Sequence, residues 1–213
     1  MPISPRTPLA LGTLVLLALA VSGIAPYDRA TWLLEVAPVL VALPVLAATW
    51  RRFPLTPLLY WLIALHALVL ILGGAYTYAR VPQGFWLQDA LRLTRNPYDK
   101  IGHVMQGLVP ALVAREILLR GGFLTSRRMA GFLSACVALA ISAVYELIEW
   151  WVALALGMGA QDFLGTQGDP WDTQEDLFFA LIGAGVALLV FAGWQDRQMR
   201  VLTQPRMKSA SAV

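Results

Sequence analysis

Charge is what this sequence has least of. Asp, Glu, Lys and Arg make up 14% of its 213 residues, where a soluble domain carries about 25%. No polar stretch is long enough to fold as an extramembrane domain. There is one cysteine, Cys136, set in an apolar run. That excludes an intrachain disulfide and reads as a packed core residue. Only two histidines occur, and there is no HExxH, no nucleophile elbow and no phosphatase-like set of arginines. The commonest metalloprotease and serine-hydrolase chemistries are excluded on those grounds. No internal repeat is visible, so the inverted-repeat architecture of many transporters has no support. The net charge is +3, but the basic residues are scattered through short loops. A nucleic-acid partner is therefore not expected.

What is abundant is apolar sequence. Hydrophobic residues make up 58% of the chain, and the mean hydropathy is +0.64. Several runs approach the roughly 20 apolar residues that cross a hydrocarbon core of about 30 Å. The expected fold is all-α: a polytopic membrane bundle of six helices, with membrane lipids as its surroundings. The spans fall at about Pro8–Ile24, Ala30–Trp50, Leu55–Ala79, Tyr98–Leu119, Arg128–Leu156 and Asp172–Trp194. Residues 1–195 read as a single transmembrane domain, and 196–213 as a polar, basic C-terminal tail. The first span has the length of a signal peptide with Arg6 as its basic flank, but no cleavage site stands out and five spans follow. Segment 81–95 reads as a short helix lying in the membrane interface. Protein partners and oligomeric state are not legible.

Orientation follows from Lys and Arg, which concentrate on the cytoplasmic side. With the N-terminus inside, the inner segments hold Arg6, Arg51, Arg52, Arg115, Arg120, Arg127, Arg128, Arg197, Arg200, Arg206 and Lys208. The outer segments hold only Arg29, Arg80, Arg92, Arg95 and Lys100. Both termini are expected in the cytoplasm.

Ionisable groups inside a membrane are costly and need a reason. The fourth span starts, the fifth ends and the sixth starts on one side, whichever side that is. Residues three and four apart share a helix face. Asp99, His103 and Gln106 form one such stripe, Ser142, Glu146 and Glu149 a second, and Asp172 and Asp176 a third. Glu35 on the second span begins near the same surface and is a candidate to join them. His103, Glu146, Glu149 and Asp176 are expected to share one polar cavity in the outer half of the membrane. They are the candidate acid–base residues, and with Asp99 the candidate ligands of a possible divalent metal.

Plainer roles suit their neighbours. Asn96, Pro97 and Asp99 have the form of a helix start, so capping competes with a site role for Asp99. Asp172 and Glu175 read as caps, and Asp162 and Asp169 as turn residues. His66 reads as a satisfied core histidine, and Arg115 and Glu116 as a snorkelling or paired couple.

The segments NPYDKIGHVMQGLVPALVAREILLR, SAVYELIEWW and GTQGDPWDTQEDLFFALIGA resemble the uncharacterised bacterial inner-membrane proteins of the YjdF type. The resemblance covers roughly residues 96–190 and implies a multi-pass inner-membrane protein, with no reaction to carry over. A weaker similarity is to VanZ-like membrane proteins, which also show Asp-Lys followed by His. Asp176 stands where their last helix has Asn, and that likeness implies only a role at the cell envelope. Three functions stay open: an intramembrane enzyme acting on a lipid or envelope-linked group, a proton-coupled carrier, and an accessory protein whose polar cluster only fixes helix packing.

Overall fold

The structure is a computed structural model that describes residues 6–157, 167 and 169–203. Every element among them is helical: α1 (Arg6–Ser22), α2 (Arg29–Thr49), α3 (Pro57–Tyr76), α4 (Pro82–Leu91), α5 (Tyr98–Arg120), α6 (Arg127–Leu156), α7 (Asp172–Val186) and α8 (Ala192–Thr203). A π-helical turn, Ala187–Phe191, joins α7 to α8, so the two form one rod of 32 residues.

Helices α2, α3, α6 and the α7–α8 rod are long and apolar enough to cross a membrane. Helix α1 is apolar but has 17 residues. Helix α5 carries Asp99, Lys100, His103, Arg115, Glu116 and Arg120, and it lies at the centre, packed against α3, α6 and α7. The logic is that of a membrane protein: lipid solvates Leu and Val freely, so the most polar helix goes to the interior. Outward positions of α1, α2, α6 and α7 show Leu16, Val41, Val144 and Phe178 at about half exposure or more.

Cross-helix pairs give the directions. Lys100 pairs with Glu175, Gly107 meets Ala180 and Arg115 pairs with Asp196; positions advance together along both, so α5 runs parallel to the α7–α8 rod. Ser142 faces Gln106 and Glu146 faces His103, a constant sum, so α6 runs antiparallel to α5. The starts of α5 and α7 and the end of α6 therefore gather at one end of the bundle.

Small residues allow the close approach. A Cβ at Gly107 would collide with the Ala180 carbonyl, and one at Gly183 with the Val104 carbonyl. Membrane helices associate through such contacts because burial of apolar surface drives nothing in lipid.

Several expectations need correction. Cys136 is exposed on α6 and is not a core residue; that stretch is apolar on every side, so hydropathy alone gives it no inner face. Asp172 and Glu175 are not caps: the residue before α7 is Trp171, and no side chain caps that helix. Asn96 is not the N-cap of α5 either: Pro97 holds that place without a side-chain cap, and Asn96 Oδ1 accepts from the Tyr98 amide at 3.0 Å in the turn before it. The last helix runs to Thr203, so residues 196–203 are helical, with Met199 buried; residues 204–213 lie outside the described residues. So does Asp162.

Candidate functional site

The site is built on the first two turns of α5. Asp99 and His103 are four residues apart and share a face, with His103 Nε2 3.5 Å from Asp99 Oδ1. The Gly107–Ala180 contact draws α7 in, and Asp176 Oδ1 comes to 3.6 Å from the same nitrogen. The antiparallel register of α6 brings Glu146 Oε1 to 3.8 Å. One imidazole nitrogen thus faces carboxylate oxygens from α5, α6 and α7. The His103 side chain is 10% exposed, Glu146 10% and Asp176 4%.

These distances are too long for hydrogen bonds. His103 Nδ1, Glu146 Oε1 and Asp176 Oδ1 are all buried without a hydrogen-bond partner among the described residues. Donor atoms of Asp99, His103 and Asp176 all lie within 4.8 Å of one another, as metal ligands do.

A cavity of about 120 Å³ adjoins the cluster. Asp99 and His103 form one wall, with Glu35 from α2, His66 from α3 and Glu149 from α6 around it. Tyr78, Gln106 and Tyr145 also line it. Glu149 therefore faces the cavity, while Glu146 and Asp176 meet His103 Nε2. His66 is not a satisfied core histidine, since its buried Nε2 has no partner.

Two prolines also line the cavity, Pro38 of α2 and Pro110 of α5. Neither has an N–H to give the carbonyl four residues earlier. The Leu34 carbonyl freed by Pro38 accepts instead from the Tyr145 hydroxyl at 2.6 Å.

Tyr78 follows α3 in left-handed backbone, φ 42°, directly after Thr77 at φ 57°. Side chains avoid this region at a cost of about 1–2 kcal/mol per residue. The ring lies in a slot between Gly73 and Gly102, where any Cβ would collide with it. Sequence reading missed Tyr78 because nothing in Tyr-Thr-Tyr announces a left-handed turn. It missed Tyr145 because its partner is a carbonyl that another helix releases.

Above the cluster lies a rim of opposite charges. Arg95 pairs with Asp169 at 3.0 Å, with Glu175 at 2.9 Å and with Asp172. Lys100 also pairs with Glu175. Partial burial works against the Arg95 charge, but the Asp172 hydrogen bond and charge more than offset it and hold its pKa above the ordinary value. Asp169 keeps its expected turn role too, accepting from the Trp171 amide at 2.8 Å. The acids of 169–175 are thus absorbed by two basic residues, and Asp176 is left for the cluster.

The family model for predicted membrane proteins named DUF2238 matches residues 7–197, nearly the whole chain. The chain belongs to the DUF2238 family. It is 60% identical over 196 residues to the inner membrane protein YjdF of Escherichia coli strain K12, covering 91% of this chain and 94% of that protein. No solved structure matches it. This DUF2238 member is a multi-pass inner-membrane protein, as its composition and sequence resemblance imply.

The family member has a second buried polar cluster, at the opposite end of α5, and it differs in kind. Glu116 is fully buried and accepts from the Thr56 amide at 2.9 Å, the Thr56 hydroxyl at 2.7 Å, Gln195 at 3.2 Å and Arg120 at 2.6 Å. Arg115 donates to Gln195 at 2.9 Å and to Asp196 at 2.7 Å. Arg115 and Glu116 are therefore paired, though mainly with other helices. Apart from Arg120 Nε, the side-chain polar atoms of this network have partners. It ties α3, α5 and α8 together, and removing one member of such a buried pair costs about 3–5 kcal/mol.

Proposed function

We propose that this protein holds a divalent cation among His103, Asp99, Asp176 and Glu146 and uses it for acid–base chemistry on a lipid or lipid-linked group. The observation that carries the reading is the set of unpartnered buried atoms around His103 Nε2. Structural polar clusters satisfy most of their atoms, as the Glu116 network does apart from Arg120 Nε. This one leaves them aimed at a common point. Tetrahedral ligands at about 2.0–2.1 Å from an ion are separated by about 3.4 Å. The contacts of His103 Nε2 to Asp99 and Asp176, 3.5 and 3.6 Å, need only small contractions to fit, whereas Glu146, 3.8 Å from that nitrogen but outside the close group of three, would have to swing further in. Carboxylates with one imidazole suit zinc, manganese or iron. Such an ion acidifies a bound water toward neutral pH, and a carboxylate beside it can take the proton.

The substrate class follows from depth. Trp86, Trp150, Trp151 and Trp171 are all more than half exposed at this end of the bundle. Exposed tryptophans mark the headgroup level of a bilayer. Glu146 and Glu149 lie within about a turn of Trp150, so the cluster sits just beneath that level.

Purified in mild detergent without chelator, the wild-type protein should carry divalent metal by mass spectrometry, and His103→Ala should reduce it at least tenfold. A metal-free wild type would overturn the proposal. It would favour the proton-relay reading, for which the proline-interrupted helices beside the cavity are the supporting observation.

A further inference from the structure

We infer that the cavity beside His103 is a second cation site, so that the bundle holds a pair of divalent ions with Asp99 between them. The inference rests on the metal reading above and extends it. Asp99 belongs to both places: it stands 3.5 Å from His103 Nε2 and lines the cavity with Glu35 and Glu149. A carboxylate has two oxygens and can reach two ions about 3.5–4 Å apart, the spacing of two-metal sites.

Charge makes the case stronger. Glu35, Asp99, Glu146, Glu149 and Asp176 bring five carboxylates to the cluster and its cavity. Among the described residues no Lys or Arg lines the cavity, and the nearby Arg95 and Lys100 face the rim acids. Held as anions, the five would carry five negative charges, of which one divalent ion offsets two and a pair four; those left uncompensated must take up protons. Uncompensated charge in such surroundings is strongly unfavourable.

The cavity also offers nitrogen. The His103 side chain is nine-tenths buried, lines the cavity and has Nδ1 unpartnered; bound to the first ion through Nε2, it carries its proton on Nδ1 and can donate to a water of the second ion. His66 brings a buried, unpartnered Nε2 from α3. At about 120 Å³ the space admits an ion with a few waters, since a water occupies about 30 Å³ of liquid. Helices α2, α3, α5, α6 and α7 would each supply a donor, the arrangement that lets a helical bundle hold a dinuclear centre.

The test is to load the purified full-length chain with Mn2+, remove free ion by gel filtration, count manganese per chain and record the electron paramagnetic resonance spectrum. Two ions per chain with a spin-coupled signal are expected. Glu149→Gln and Glu35→Gln should each retain one ion and lose the coupling, and the retained ion shows that the fold survives. One ion in the wild type, unchanged in Glu149→Gln, would overturn the second site and leave the first standing. Two ions that are uncoupled and indifferent to Glu149→Gln would also overturn it. No bound ion would overturn both readings.

Discussion

At the scale of single residues, the fold is decided by which polar atoms find partners. Asp28 is a plain case. Its Oδ1 accepts from the Thr31 amide at 2.7 Å and starts α2. The backbone hydrogen bond from Thr31 holds its pKa below the ordinary value. A carboxyl with a depressed folded-state pKa stabilises above its unfolded pKa, and that contribution disappears as pH falls through the folded one. Asp28→Ala should cost about 1 kcal/mol at neutral pH, the usual worth of an N-cap. The difference from wild type should shrink as pH falls below the ordinary carboxyl range and through the depressed folded-state pKa, leaving only what a neutral cap contributes. Thermal unfolding in detergent at neutral and at low pH measures it; an equal penalty at low pH would mean that the charge plays no part. His103, Asp99 and Asp176 were legible in the sequence because helical spacing and membrane cost are local facts. Tyr78, Tyr145 and the cavity role of His66 were not, because each depends on a neighbour from another helix.

At the scale of elements, α5 and α7 carry the site, and their parallel contact is made by glycines. A side chain at Gly183 would run into the Val104 carbonyl, whereas one at Gly185 meets nothing within 4 Å. Gly183→Leu should therefore destabilise by at least 1–3 kcal/mol, the usual cost of overpacking. It should also carry Asp176 away from His103 and reduce metal retention. Gly185→Leu should be nearly neutral in both measurements, which separates a contact effect from a general cost of replacing glycine. Equal behaviour of the two variants would mean that the α5–α7 approach does not set the site. Helix positions were readable from apolar length, and the gathering of α5, α6 and α7 ends followed from alternation of the spans. The close packing was not readable: Gly183 and Gly185 look alike in the run LIGAGVALL, and only the facing backbone tells them apart.

At the scale of the whole molecule, the bundle has two unlike ends. One bears the rim of Arg95 and Lys100, the exposed tryptophans and the unpartnered cluster. The other bears the satisfied Glu116 network and the basic turns at Arg51, Arg52 and Arg127. The tie between Tyr27 and the Ala75 carbonyl, 3.0 Å, puts the α1–α2 turn with the end of α3 on the site side. Basic residues accumulate where chain is not translocated, so the site end should face away from the cytoplasm. Single cysteines in a Cys136→Ser background test this with a membrane-impermeant maleimide on intact spheroplasts. Arg92→Cys should label directly, and Arg51→Cys only after permeabilisation. In the unmodified protein, Cys136 should resist the reagent in both conditions, because its exposed face on α6 looks into lipid, which a charged, membrane-impermeant reagent does not enter. The reverse pattern would invert the protein and move the cluster to the cytoplasmic leaflet. Its metal chemistry would then act on substrates made inside the cell and not on those already delivered to the envelope.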